Sequence, residues 1–224
     1  MLASLSRVIS SADSDCDPVG VLVAADAFLL GSPVPGWGAA EVEELLDGVH
    51  RPVLRELAAR DAPFVGVLFA GLMLTDDGPR VLEFNCRFGD PETQSIVPLL
   101  QGDLGGVLAA AAAGDLTGVE IDTSDGAAVT IVVAAGSYPE RGDAGSPIEG
   151  LADAEAAGAV VFHAGTAVQD GRVVTNGGRV LNVTAVGETI ADARERAYEA
   201  VSRVSFAGAR YRRDIAAGAE HVVG

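Results

Sequence analysis

The side chains best suited to chemistry lie in one short run, EFNCRFGDPE, at residues 83–92. Alternate residues of a β-strand point to the same face, so Glu83, Asn85 and, if the strand continues, Arg87 would share one face. A carboxylate and an amide supply the hard oxygen ligands that suit Mg²⁺, which completes its shell with water and nucleotide phosphates. An arginine beside them is a permanently charged fork for phosphoryl oxygens. The spacing therefore favours a site for a metal-bound nucleotide.

A plainer interpretation of Glu83 and Asn85 stays open, because polar residues on one face of a half-exposed strand are normally its solvated face. The residues after the strand favour a site. A glycine turn leads to Asp90 and Glu92, which the pattern places at the head of a helix, with Asp90 as N-cap and Pro91 in the first turn.

The elements that must position this run are predicted from the surrounding pattern. Two apolar strands, at 64–74 and 80–85, flank a TDDGP turn and predict a hairpin. Before it, apolar spacing of three and four over 39–60 predicts a helix that Pro52 should kink or split. After it, two helices are expected at 92–100 and 104–113.

A polar break near residue 122 marks the predicted domain boundary. The second half contains several apolar alternating segments that predict strands. They lie at about 127–134, 160–164, 172–175 and 179–185. Asn176-Gly177-Gly178 between the last two is typical of a hairpin turn, although such a turn can also form an anion nest. Thr189 should cap a helix that runs from Ile190 to about 204.

Composition removes several classes of function. All 15 basic residues among the 224 are arginine, and 32 acidic residues give a formal net charge of −17. Without lysine there is no Schiff-base or P-loop lysine. The acidic balance also argues against a nucleic acid or an anionic membrane surface as partner. The N-terminus is a poor signal peptide, so a cytoplasmic location is expected.

The motif LEFNCRFGDPETQ, preceded by FVGVLFAGLML, resembles the phosphoribosylamine–glycine ligases, also called glycinamide ribonucleotide synthetases. These are ATP-grasp enzymes of purine biosynthesis. Later blocks agree in order, among them GAAVTIVVAAGSYP, GSPIEGL, VFHAGTAV and VVTNGGRVLNVTAVGETIADARERAYEAV. The resemblance covers roughly residues 35–217 and corresponds to the C-terminal half of the family's enzymes.

The resemblance implies a reaction and a role for each residue of the run. The family joins glycine to 5-phosphoribosylamine through glycyl phosphate, with ATP cleaved to ADP and phosphate. Glu83 and Asn85 match the ligands of Mg²⁺ or Mn²⁺. Arg87 matches the arginine that stabilises the transferring phosphoryl group, and Asp90 and Glu92 are expected on the substrate side.

The resemblance also implies what this chain lacks. We expect residues 1–34 to be an unmatched leader, for which disorder is left open, 35–122 to be the end of an ATP-grasp domain, and 123–224 to be the family's C-terminal domain. The lobe that grips most of ATP would lie upstream. The chain is therefore expected to be inactive alone, either as part of a split or truncated ligase that needs a separate polypeptide, or as a non-catalytic module that keeps the metal residues.

The expected fold class is α+β. The first part should be a mainly antiparallel sheet with helices, and the second a small antiparallel unit with one packed helix. Because the first part would lack its neighbours, an exposed apolar face or an unpaired sheet edge is expected there.

Other reactive residues are predicted to be structural. His163, on an apolar strand, is interpreted as a hydrogen-bonded core residue rather than a proton shuttle. Cys86 is interpreted as packing on the face opposite the site. Arg210, Arg212 and Arg213 are interpreted as a solvated charge run rather than a phosphate site.

Overall fold

The computed structural model describes residues 21–26, 43–75, 78–119, 121–124 and 126–217. The chain divides into two compact units. The first unit takes its residues from Leu2–Asp90 and Leu100–Ser124, and the second from Pro91–Leu99 and Asp125–Gly224. The predicted domain limits at 34 and 122 stay a prediction. Of the predicted leader, residues 1–34, only residues 21–26 are among the described residues.

The described elements comprise five α-helices and eleven strands. The helices are α1 (Arg51–Ala59), α2 (Glu92–Ile96), α3 (Leu104–Ala113), α4 (Leu151–Ala156) and α5 (Ile190–Val201). The strands are β1 (Val21–Asp26), β2 (Gly66–Thr75), β3 (Gly78–Asn85), β4 (Leu100–Gln101), β5 (Asp122–Thr123), β6 (Ala127–Ala134), β7 (Asp143–Pro147), β8 (Val160–His163), β9 (Thr166–Gln169), β10 (Arg172–Gly177) and β11 (Arg179–Gly187).

The first unit is built on a sheet of order β1-β2-β3, in which β2 pairs with β1 in parallel and with β3 in antiparallel fashion. The predicted kink at Pro52 takes the form of a π-helical turn, Leu46–His50, after which Pro52 sits in the first turn of α1. Because Pro52 has no backbone N–H to donate and its ring crowds the preceding turn of a regular α-helix, the helix is interrupted here by the wider π-helical turn. Residues 39–42 of the predicted helix lie outside the described residues.

Among the described residues, the largest cluster of buried apolar side chains lies in the second unit. Two antiparallel sheets, of order β6-β11-β8 and β7-β10-β9, carry it. Helix α5 is capped by Thr189, as predicted, and the Thr189 side chain accepts a hydrogen bond from the Asp192 amide at 3.1 Å. A buried chain of hydroxyls, Ser95 to Thr130 at 2.6 Å and Thr130 to Thr184 at 2.8 Å, ties α2 to β6 and β11. The α+β class is confirmed.

The predicted hairpin at Asn176-Gly177-Gly178 is wrong. Strands β10 and β11 belong to different sheets, so the glycines mark a crossing. A Cβ on Gly177 would lie 2.9 Å from the Cα of Gly165, and the Gly178 carbonyl accepts a hydrogen bond from the Ala135 amide at 2.8 Å. Glycine is needed because backbone meets backbone there.

Two further predictions about packing are wrong. Cys86 is a free, exposed thiol just beyond β3 instead of a packed residue. His163 is exposed at the end of β8, where its Nδ1 lies 3.1 Å from the Thr166 hydroxyl, and it is no core residue. Both side chains sit at a strand end, where the core no longer covers them. Arg210, Arg212 and Arg213 are exposed, as predicted.

The expected exposed apolar edge is confirmed in the described part of the first unit. Among the described strands, β3 lies at one side of its sheet and has β2 as its single partner. Three of its apolar residues are exposed: Val81, Leu82 and Phe84. Among the described residues, no helix has the length and apolar character needed to cross a membrane.

Candidate active site

The acid–amide pair lies at the end of the edge strand β3. Alternation brings Glu83 and Asn85 to one face, and the Asn85 amide nitrogen donates a hydrogen bond to the Glu83 carboxylate at 2.9 Å. The Glu83 side chain is exposed and Asn85 is half-buried. The two groups are therefore close enough to contact one small ion or ligand from the same side.

A glycine on the neighbouring strand makes room for this pair. Gly71 of β2 pairs with Glu83, and a Cβ at Gly71 would come within 3.2 Å of the Glu83 Cγ. The ladder also shifts between Gly71 and Leu72, leaving Leu82 as an extra residue in β3. A bulge of this kind bends the strand and redirects side chains next to functional sites. Sequence reasoning missed Gly71, and its signal was a glycine inside an otherwise apolar strand.

The remaining residues of the run are arranged differently from the simple strand pattern. The strand ends at Asn85, so Arg87 does not continue its alternation and lies in an exposed bend, where its guanidinium donates to the Phe88 carbonyl at 2.7 Å. Asp90 is exposed and is the last residue of the first unit's Leu2–Asp90 segment. Pro91, rather than Asp90, is the N-cap of α2, and Glu92 begins that helix in the second unit.

Behind the pair, on the opposite face of β3, lies a buried histidine that sequence reasoning also missed. His50 is fully buried, and its ring meets the ring of Phe84 edge to face, with the centroids 6.4 Å apart. Burial lowers the pKa of His50 from 6.5 to about 4, because a positively charged ring loses its hydration there. The backbone of Leu45 raises the pKa and offsets this lowering only in part. The imidazole is thus neutral at pH 7.

The Glu83 and Asn85 side chains could supply part of the ligand shell of a magnesium ion. Within the described residues, no group of three or more His, Cys, Asp or Glu side chains could hold a metal. Mg²⁺ needs fewer, because it is commonly held by one or two carboxylate-type ligands and by substrate phosphates. Glu83 offers oxygens directly. Asn85 would offer its oxygen after a half-turn of the amide, which exchanges Nδ2 and Oδ1.

Two family models match separate parts of the chain. The model of the family described as "Phosphoribosylglycinamide synthetase, ATP-grasp (A) domain" matches residues 29–93, and that described as "Phosphoribosylglycinamide synthetase, C domain" matches residues 128–218. The run 83–92 lies within the first match. Both matches agree with the family that the motifs suggested.

Similar individual proteins are named phosphoribosylamine–glycine ligases. The chain is 47% identical over 192 residues to the phosphoribosylamine–glycine ligase of Streptomyces coelicolor, covering 84% of this chain and 46% of the relative. It is 46% identical over 184 residues to that of Mesorhizobium japonicum, covering 82% and 43%. The crystal structure of the Thermotoga maritima ligase matches with a TM-score of 0.63 and 38% identity, covering 78% of this chain and 42% of that one. The chain thus spans less than half the length of these relatives.

Proposed function

Because the chain belongs to the phosphoribosylglycinamide synthetase family, we propose that it is the C-terminal half of a ligase joining glycine to 5-phosphoribosylamine with cleavage of ATP. The observation that carries this proposal is the contact between Asn85 and Glu83 on the edge strand, inside the part that matches the ATP-grasp domain. The partners proposed are ATP, glycine, 5-phosphoribosylamine and a separate polypeptide that supplies the remaining lobe, and a cytoplasmic location stays a prediction.

In this proposal Glu83 and Asn85 would hold Mg²⁺ or Mn²⁺ through their oxygens. When bound, such an ion neutralises the charge of the ATP phosphates. The glycine carboxylate attacks the γ-phosphorus and ADP leaves; the amine of 5-phosphoribosylamine then attacks the acyl carbon and phosphate leaves. Positioning and charge neutralisation supply most of the rate in phosphoryl transfer.

Arg87 would stabilise the phosphoryl group as it transfers. Its guanidinium is exposed and bonded only to a neighbouring carbonyl among the contacts described, so it can turn toward an anion at the cost of one hydrogen bond, about 1 kcal/mol. Asp90 and Glu92 follow on the proposed substrate side. Asp90 is exposed, and Glu92 is half-buried at the start of α2.

The test measures ADP release that depends on both glycine and 5-phosphoribosylamine. The chain alone should release none, and it should become active when mixed with the polypeptide that corresponds to the unmatched part of the Streptomyces coelicolor ligase. Glu83→Gln and Arg87→Ala should each lower that rate at least a hundredfold, since electrostatic contributions of this kind are worth about 3 kcal/mol. Glu155→Gln, on the exposed side of α4, is the matched control and should leave the rate unchanged.

A second outcome would favour the non-catalytic module. If the mixture never releases ADP while Mn²⁺ still binds the wild-type chain and not Glu83→Gln, the metal residues are kept without the ligase reaction. Activity of the chain by itself would contradict the need for a second lobe.

A further inference from the structure

A groove of about 620 Å³ lies on the second unit, between helix α5 and the segment at 211–213. Its α5 wall is formed by residues three or four positions apart, which share one face of a helix. The side chains that can recognise a ligand are two tyrosines, two arginines and a glutamate: Tyr198, Tyr211, Arg194, Arg213 and Glu195. Sites for small molecules have volumes of this order, so a ligand of nucleotide size would fit.

The two walls of this groove are joined by hydrogen bonds. The Arg194 guanidinium donates to the carbonyl of Ile215 at 2.9 Å and to that of Arg213 at 3.2 Å. The Tyr198 hydroxyl donates to the Arg212 carbonyl at 2.9 Å and accepts from the Ile215 amide at 3.0 Å. These contacts hold the groove in shape without a ligand, which lowers the ordering cost of binding.

The two tyrosines give the groove an aromatic surface. The rings of Tyr198 and Tyr211 have centroids 6.3 Å apart and are inclined at 48°, so they are not stacked face to face. Both residues are half-buried, and part of each remains accessible. The Arg194 guanidinium lies over the Tyr198 ring, 4.9 Å from its centroid. Surfaces of this kind stack with planar rings, including every nucleobase.

The groove also contains an arginine whose charge is available. Arg213 is exposed, and among the described residues its guanidinium has no hydrogen bond or ion pair. Its neighbour Arg212 is instead engaged by both carboxylate oxygens of Asp214, at 2.9 and 2.6 Å. A free guanidinium is a planar fork suited to phosphate. The sequence pattern placed Arg213 in a solvated charge run, and the structure adds the aromatic surface beside it.

The one carboxylate among these five side chains limits what the groove can bind. Glu195 is exposed and, within the described part of the chain, makes no hydrogen bond or ion pair. It opposes a bare anion, as does the net charge of −17. It would accept a hydrogen bond from a hydroxyl or an amino group. The groove therefore favours a ligand that combines a planar ring, hydrogen-bond donors and a phosphate.

We infer that this groove is a binding site for a nucleoside monophosphate. The base stacks on Tyr211, the phosphate binds the Arg213 guanidinium, and Glu195 accepts a hydrogen bond from the ribose or the base. Arg194 and Tyr198 position the segment that carries Tyr211 and Arg213. The inference goes beyond the proposed ligase reaction and does not depend on it, because every residue involved belongs to the second unit.

The experiment titrates the full chain with adenosine 5′-monophosphate (AMP), without metal ions, and follows binding by calorimetry and by NMR of the backbone amides. AMP should bind with a submillimolar dissociation constant and shift the amides of residues 194–198 and 211–213. Adenosine, which lacks the phosphate, and inorganic phosphate, which lacks the ring, should each bind at least tenfold more weakly, because each makes only part of the contacts.

Four variants identify the groups that hold AMP. Arg213→Gln should weaken binding at least tenfold, since a charge-assisted contact is lost. Tyr211→Leu should weaken it at least fivefold through loss of stacking. Tyr211→Phe keeps the ring and should bind within twofold of the wild type, which separates stacking from a folding defect. Arg172→Gln is the matched control, because Arg172 is an exposed arginine on β10, and it should also bind as the wild type does.

Three results would overturn the inference. The first is no binding at about 5 mM AMP, beyond the millimolar range of weak binding. The second is equal binding by the wild type and Arg213→Gln. The third is AMP binding that is lost in Glu83→Gln while the amides of 211–213 stay unshifted, which would assign AMP to the first unit.

The ligase proposal is judged by different measurements. A chain that binds AMP at 211–213 but never supports ADP release would refute the ligase and leave the nucleotide site standing. A mixture that releases ADP but shows no AMP binding in the groove would do the opposite.

Discussion

The buried His50 should make the stability of the first unit depend on pH between 6.5 and 4. In the folded chain the imidazole is fully buried and its pKa is about 4, whereas an unfolded histidine titrates near 6.5. Between these values the unfolded state binds a proton that the folded state does not. Stability is therefore highest above pH 6.5 and falls as the pH drops toward 4, below which the folded state also takes up the proton.

The size of this effect follows from the two pKa values. The difference between 6.5 and about 4, at about 1.4 kcal/mol for each pH unit, corresponds to a total of about 3 kcal/mol. Most of that loss is complete by pH 4.5. The carboxylates Asp143 and Asp214 have lowered pKa values, from hydrogen bonds with Ser146 and Thr175 in one case and Arg212 in the other. Their contribution is lost only at lower pH, as it falls below about 4.

The assay compares the wild type with His50→Leu, which replaces the imidazole by an apolar group of similar size. Urea unfolding followed by hydrogen exchange of peptides from β2 and β3 reports the first unit, and peptides from β11 give an internal reference. We expect the wild type to lose about 2–3 kcal/mol between pH 7 and 4.5 in the first unit, and His50→Leu to lose much less. His163→Gln is the control, because that imidazole is exposed, and it should keep the wild-type slope.

Two results would refute this reasoning about His50. One is an equal pH slope in the wild type and in His50→Leu. The other is an NMR titration in which the His50 ring gains its proton near pH 6.5 while the chain is folded. Either result would mean that the imidazole is hydrated or paired in solution.

Three further substitutions test other contacts. Gly71→Ala should displace Glu83 and weaken Mn²⁺ binding severalfold, seen in water-proton relaxation, with no comparable loss in Gly48→Ala, whose added methyl meets nothing within 4 Å. Thr130→Val should destabilise the second unit by about 1–3 kcal/mol in urea, because it leaves buried hydroxyls without their partner; an unchanged midpoint would rule out that role. Thr189→Ala should cost about 1 kcal/mol by loss of the helix cap, and Thr189→Ser should restore most of it.

The sequence alone determined the features that depend on near neighbours along the chain. The two-residue period of a strand placed Glu83 and Asn85 on one face, and the structure brings them to 2.9 Å. Helix α3 spans Leu104–Ala113, the range that the pattern predicted, and the structure adds that the Asp103 carboxylate accepts a hydrogen bond from the Gly106 amide at its start. Helix caps and strand alternation involve residues a few positions apart, so a short stretch of sequence is enough to predict them.

Only the tertiary structure decided which segments meet and which faces are covered. The glycines at 177 and 178 serve a crossing between sheets, because β10 pairs with β7 and β9 while β11 pairs with β6 and β8. Gly71 matters only because the register of β2 places it against Glu83. The low pKa of His50 and the exposure of Leu82 likewise depend on what packs around them, which is a property of the assembled fold and has no local signature.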